Sequence, residues 1–122
     1  MGRILIVDDD AQIRQLFKRI LEEKGHQVFL AIDGEDGIMQ YKKEQPDLML
    51  LDIIMPNKEG IEVIREITSE YKDAKIIAVS GGGKGKAVDY LSYAKHFGAK
   101  QIIEKPVSPS KLIESINKIL EQ

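Results

Sequence analysis

Four short apolar runs in this chain each lead into residues able to do chemistry. One is followed by Asp8-Asp9-Asp10, another by Asp52, a third by Ser80 and a fourth by Lys105-Pro106. Carboxylates packed together repel one another unless a cation enters. There is no cysteine, and the two histidines, His26 and His96, are far apart, so the ligands on offer are hard oxygens. Such ligands suit Mg2+, which keeps several waters and needs only one or two carboxylates. A metal-bound carboxylate, an ammonium and a hydroxyl together make a cradle for a phosphoryl group. Transfer of that group relies mostly on positioning and charge neutralisation.

Taken singly, each of these residues has a plainer explanation. Acids after a strand often only cap the next helix, and for Asp10 that is the expectation. Ser80 alone reads as a turn residue, and Lys105 alone as a solvated charge. Asp52 alone, before Met55-Pro56, reads as a loop residue. Their placement after successive apolar runs is what makes them a set.

The elements that must position them follow from hydrophobic pattern. Runs rich in Ile, Val and Leu at Ile4–Val7, Val28–Ile32, Leu48–Leu51, Ile76–Val79 and Gln101–Ile103 suit strands buried on both faces. Between them lie segments of helical period. Ile13, Leu16, Phe17, Ile20 and Leu21 make one apolar stripe, ended by Gly25. Ile38 and Tyr41 mark a second helix capped by Asp33, and Ile61, Ile64 and Ile67 a third. Ala87, Leu91 and Ala94 mark a fourth, ending near Gly98. Ser108 as cap, Pro109 at the first helical position, and Leu112, Ile113, Ile116, Ile119 and Leu120 define the last. Five βα units predict an α/β fold: a doubly wound parallel sheet in the flavodoxin-like order 2-1-3-4-5. In such a sheet ligands bind outside the carboxyl ends of the strands, beside the point where strand order reverses, and there the acids, hydroxyl and ammonium converge.

A length of 122 residues fits one domain over positions 1–122. A net charge of -2 gives no bulk reason to expect nucleic acid or an anionic membrane as partner. No apolar run approaches the length of a signal peptide core or a bilayer span. The expectation is a soluble cytoplasmic protein.

Val7-Asp8-Asp9-Asp10, Leu51-Asp52-Ile53-Ile54-Met55-Pro56 with Gly60, Ser80-Gly81 and Lys105-Pro106 resemble the signature set of response-regulator receiver domains, of the chemotaxis-regulator kind, in order and spacing over essentially the whole chain. The resemblance implies a phosphoacceptor module of a two-component system, supplied by a sensor histidine kinase or a phosphotransfer protein. It implies that Asp52 is the phosphoacceptor. Asp9, the Asp52 carboxylate and the backbone carbonyl of Ile54 would ligate Mg2+, with Asp8 acting through a metal-bound water. Lys105 would pair with a phosphoryl oxygen, Ser80 would donate its hydroxyl to another, and a cis peptide would precede Pro106. Both a stand-alone receiver and the receiver part of a longer regulator are compatible with residues 1–122.

Departures from the family pattern bear on regulation. An aromatic residue is usual three positions before the lysine, and here that position is Ile102, so the ring swing that reports phosphorylation is absent in its usual form. Ile54 and Gly82 occupy the positions that tune acyl-phosphate lifetime, and neither orients a hydrolytic water, which predicts slow self-dephosphorylation. Gly81-Gly82-Gly83-Lys84-Gly85 predicts a mobile loop; it lacks the Gly-Lys-Ser/Thr triplet of a Walker A motif.

Tyr90, Tyr93 and Phe97 form a second stripe on the fourth helix, read either as core at the sheet edge or as an exposed face for a homodimer or target protein. In the family the output surface is formed by the fourth helix, fifth strand and fifth helix, and the first helix, with Arg14, Gln15 and Lys18, is the kinase-docking region. Two other readings stay open: a receiver-like scaffold indifferent to phosphorylation, and a Mg2+-dependent phosphatase with an aspartyl intermediate. The latter usually needs a second acid at the position held by Ile54.

Overall fold

The computed structural model describes residues 2–53, 59–81 and 94–121. Five strands, β1 (Arg3–Val7), β2 (Gln27–Ala31), β3 (Leu48–Asp52), β4 (Ile76–Gly81) and β5 (Gln101–Lys105), form one parallel sheet in the order β2-β1-β3-β4-β5. Helices α1 (Ala11–Glu23), α2 (Gly34–Glu44), α3 (Gly60–Glu70) and α5 (Pro109–Leu120) cover it, and residues 94–96 are helical and are labelled α4. Ala87, Tyr90, Leu91 and Tyr93, expected on the fourth helix, lie outside the described residues, as does the glycine run from Gly82 onward.

Side chains on a strand alternate between faces, so each strand feeds two cores. Leu5 and Val7 of β1 join Met49 and Leu51 against Ile38 and Tyr41 of α2 and Val63, Ile64 and Ile67 of α3. Ile4 and Ile6 join Leu48 and Leu50 against Phe17 and Leu21 of α1 and Leu112, Ile116 and Ile119 of α5. Burying each such aliphatic side chain is worth about 1.5–3 kcal/mol. The two clusters hold helices on both faces of the sheet.

The helix ends follow the capping residues. Asp10 Oδ1 accepts from the backbone N–H groups of Gln12 at 2.9 Å and Ile13 at 3.4 Å, so Asp10 is the cap expected. Asp33 accepts from Asp36 N–H, and Ser108 from Lys111 N–H ahead of Pro109. Gly25 takes φ 89°, the left-handed turn that a residue without a Cβ makes at no steric cost.

Four expectations need correction. The runs Ile4–Val7, Leu48–Leu51 and Ile76–Val79 are buried throughout, but β2 and β5 are edges, where only Ala31 and Ile103 are fully buried. Ile32 lies past the end of β2 and is 56% exposed. Leu16 is half exposed, because Phe17 and Leu21 define the inner face of α1 and Leu16 lies on the rim of that stripe. On α3, Val63 is buried and Ile61 only half-buried.

Candidate functional site

Register sets the site. Val7 of β1 pairs with Leu51 of β3, so Asp8 and Asp52 leave neighbouring strands at the same level. Asp52 in turn pairs with Val79, one residue before Ser80, and Gly81 pairs with Lys105. Lys105 therefore lies two strands from Asp52, on the order of 10 Å by strand spacing. Its long stem spans the gap past β4, whose tip ends in the small residues Ser80 and Gly81.

The Lys105 Nζ donates to Asp8 Oδ2 at 3.1 Å and to Asp52 Oδ2 at 3.4 Å. Both carboxylates are buried. Asp8 is held at its other oxygen as well, where Oδ1 accepts the Asp10 N–H at 2.9 Å. Burial alone would lower the pKa of the Lys105 ammonium. The carboxylates of Asp52 and Asp8 outweigh burial and hold it above the ordinary lysine value. Lys105 is thus charged across the physiological range.

Asp9 is exposed, and its carboxylate completes a group with Asp8 and Asp52 whose ligand atoms all lie within 4.8 Å of one another. Against these three carboxylates Lys105 provides one positive charge. A hard cation that accepts oxygen ligands fits the excess negative charge and the donor set.

Two further features shape the rim. Ser80 is fully buried, and its Oγ has no hydrogen-bond partner among the described residues, leaving a donor available at the tip of β4. The peptide between Lys105 and Pro106 is cis. After Asp52 the chain turns at Ile53, whose carbonyl accepts the Gly60 N–H at 3.0 Å. A Cβ on Gly60 would lie 2.3 Å from Ile53 Cα, so only glycine allows the start of α3 to sit against the residue next to Asp52.

The structure brings Asp8, Asp9, Asp52 and Lys105 together, with Ser80 on the adjoining strand tip. Ile54 and Gly82 lie outside the described residues. Ile102 is half-buried and packs against the α2–α3 core cluster, with no ring at that position. Two partnerships had no signal in the pattern of residues: the Arg14 guanidinium donates to the Asp8 carbonyl at 2.6 Å, and Gln101 Nε2 donates to Ser115 Oγ at 3.3 Å. Each joins positions set by tertiary geometry, although the six-residue step from Asp8 to Arg14 is the reach of a first helical turn folding back on its strand.

A five-stranded 2-1-3-4-5 sheet carrying an acidic cluster and a lysine at its carboxyl rim defines a doubly wound domain with an anion- and cation-handling edge. The chain belongs to the response regulator receiver domain family, whose model matches residues 4–117. It is 39% identical to the chemotaxis protein CheY of Thermotoga maritima over 118 residues, covering 96% of each chain. It is 35% identical to protein PilH of Pseudomonas aeruginosa, covering 98% of each. Among solved structures it is similar to a CheY-like receiver domain protein of Methanospirillum hungatei, with TM-score 0.92 and 34% identity over 99% of this chain and 94% of that one. The receiver domain of NtrX from Brucella abortus gives TM-score 0.90 at 30% identity, covering 98% of both. Among the described residues no helix is long and apolar enough to cross a membrane.

Proposed function

We propose that residues 1–122 form one receiver domain that takes a phosphoryl group onto Asp52 with Mg2+ bound beside it. The observation that carries this reading is the grouping of the Asp8, Asp9 and Asp52 carboxylates within 4.8 Å, with Lys105 bonded to two of them. Asp9, Asp52 and the Ile54 carbonyl would hold the ion, and Asp8 would help to place it through a water. The ion supplies charge neutralisation, which lets an anionic donor approach an anionic nucleophile.

An Asp52 oxygen attacks phosphorus and forms the acyl phosphate O–P bond. The bond from phosphorus to the donor breaks, and its electron pair leaves with the donor: an imidazole nitrogen of a phosphohistidine, or acetate from acetyl phosphate. Lys105 pairs with one phosphoryl oxygen, and Ser80 donates its hydroxyl to another. The buried Ser80 Oγ, without a partner among the described residues, supports that role. The protein thus takes part in its own phosphorylation in place of turning over a substrate. With Ile54 and Gly82 at the positions that tune lifetime in this family, self-dephosphorylation is slow.

The donor is a sensor histidine kinase or phosphotransfer protein of the cytoplasm. An open groove of about 460 Å³ beside the site is lined by Ile13, Leu16, Phe17, Lys105, Pro106 and Val107. Its apolar floor, with half-exposed Leu16, favours this face for docking the donor, alongside Arg14, Gln15 and Lys18. Output runs through the face of α4, β5 and α5, to a target protein or a second copy, with neither nucleic acid nor membrane as the partner of this domain.

The test is Asp52→Asn incubated with acetyl phosphate and Mg2+. Intact-mass spectrometry is expected to show the phosphoryl adduct on the parent and none on the variant. An adduct on the variant would sink the assignment. Ile102 favours one second reading, a scaffold whose contacts ignore phosphorylation; a partner that binds the parent equally with and without beryllofluoride would select it.

A further inference from the structure

Arg14 lies one turn into α1, directly after the acidic tip of β1. Its Nη1 donates to the carbonyl oxygen of Asp8 at 2.6 Å, and the residue is half-buried. That carbonyl belongs to the first peptide beyond the sheet. Asp8 N–H still donates to Ala31 O at 3.2 Å, but the paired register of β1 with β2 and with β3 ends at Val7. A carbonyl left there without a donor would cost about 1–3 kcal/mol if buried. Arg14 supplies the donor that the sheet no longer does.

The same peptide joins Asp8 to Asp9, so its orientation sets where both carboxylates point. Asp8 is tied at its two carboxylate oxygens by the Asp10 N–H and by Lys105. With its carbonyl tied by Arg14, contacts from α1, from its cap and from β5 fix one residue. Asp9, the next residue, is exposed and has its carboxylate in the cluster with Asp52.

We propose that Arg14 is a positioning residue for the metal site: by gripping the peptide between Asp8 and Asp9 it aims the Asp9 carboxylate at Asp52. The inference rests on the reading that this cluster holds Mg2+. Charge and hydrogen bond act in opposite senses here. A guanidinium near the acids repels an arriving cation, so its charge alone would weaken Mg2+ binding and its removal would tighten it. Its grip on the peptide strengthens binding, because partners that orient ligands commonly set metal affinity. The sign of the change on removing Arg14 separates the two.

The experiment is calorimetric titration of Mg2+ into the full chain and its variants, with thermal unfolding measured alongside. Arg14→Met keeps an unbranched stem without a donor, and Arg14→Lys keeps the charge and an N–H donor group. Arg14→Met is expected to bind Mg2+ about tenfold more weakly, with Arg14→Lys recovering most of the loss. Faster amide exchange at Asp10 in metal-free Arg14→Met is expected as the tip loosens. Binding by folded Arg14→Met as tight as the parent's, or tighter, would overturn the role of Arg14 while leaving the metal reading intact. Failure of that variant to fold would overturn it too, by making Arg14 a requirement of the fold. A parent that binds no Mg2+ would overturn the metal reading and this inference with it.

Discussion

Asp47 and Asp52 stand at opposite ends of β3, and their surroundings differ. At the amino end of β3, Asp47 is exposed; its Oδ2 accepts the Arg3 N–H at 2.8 Å, and its own N–H donates to Arg3 O at 2.7 Å. At the carboxyl end, Asp52 is buried and faces an ammonium and two further carboxylates. The rest of the two edges follows suit. On the amino side His26 Nδ1 accepts the Gly2 N–H at 2.9 Å and the Arg3 guanidinium meets Glu44 at 3.3 Å, both joining the sheet's margin to nearby chain. On the carboxyl side the side chains address one another across β1, β3 and β5. The difference teaches that a carboxylate's residue type says little; whether it stands alone against backbone or is crowded by its own kind separates a residue that closes the fold from one that helps to build a candidate site.

The largest expected effect sets these two aspartates against each other. Asp52→Asn should lose acetyl-phosphate labelling entirely, whereas Asp47→Ala should keep it and lose only about 1 kcal/mol of stability, the net value of a hydrogen bond. Mass spectrometry and urea unfolding of both variants would break the comparison if Asp47→Ala were the one to lose labelling.

Next comes the contact behind Asp52. Gly60→Ala places a methyl against Ile53 Cα, which backbone must yield to accommodate. A loss of about 3 kcal/mol is expected, read by urea unfolding. Weaker Mg2+ binding in the surviving folded protein would show that the α3 contact also shapes the acceptor edge.

The smallest effect belongs to the amino edge. Burial pushes the His26 imidazole below its ordinary value of 6.5, and Nδ1 must be unprotonated to accept the Gly2 N–H. A base held low in the folded state contributes stability that is present above the unfolded value and lost as pH falls through the folded one. The parent should therefore lose thermal stability as pH falls below the ordinary imidazole value of 6.5, where His26→Gln loses less. Equal slopes for the two proteins would remove His26 from the account, and altered Mg2+ affinity in His26→Gln at neutral pH would join two edges that are here kept apart.

Much of this architecture was readable beforehand because periodicity is a local property. β1, β3 and the caps at Asp10, Asp33 and Ser108 stood where residue order placed them. The failures lay at margins. Leu16 matched the helical stripe, yet at 100° per residue it lies about 100° from Phe17 and about 140° from Leu21, where the sheet makes contact. Ile32 looked like strand, but β2 is an edge, and nothing beyond Ala31 needs its side chain inside. At the site, the acids and Lys105 were legible as strand-end residues. The partners of Asp8 were not, because the Lys105 and Arg14 contacts depend on how strands and helix fold over one another.

The sheet also works as a partition wall. Ile4 and Ile6 answer to α1 and α5 on one side, while Leu5 and Val7 answer to α2 and α3 on the other. Surface drift on α1, where a donor would be chosen, therefore leaves the packing of α2 and α3 untouched. Among the described residues the carboxyl tips carry the acidic cluster and Lys105 between the two halves, so under the proposed function a change in donor preference and a change in downstream behaviour would meet there.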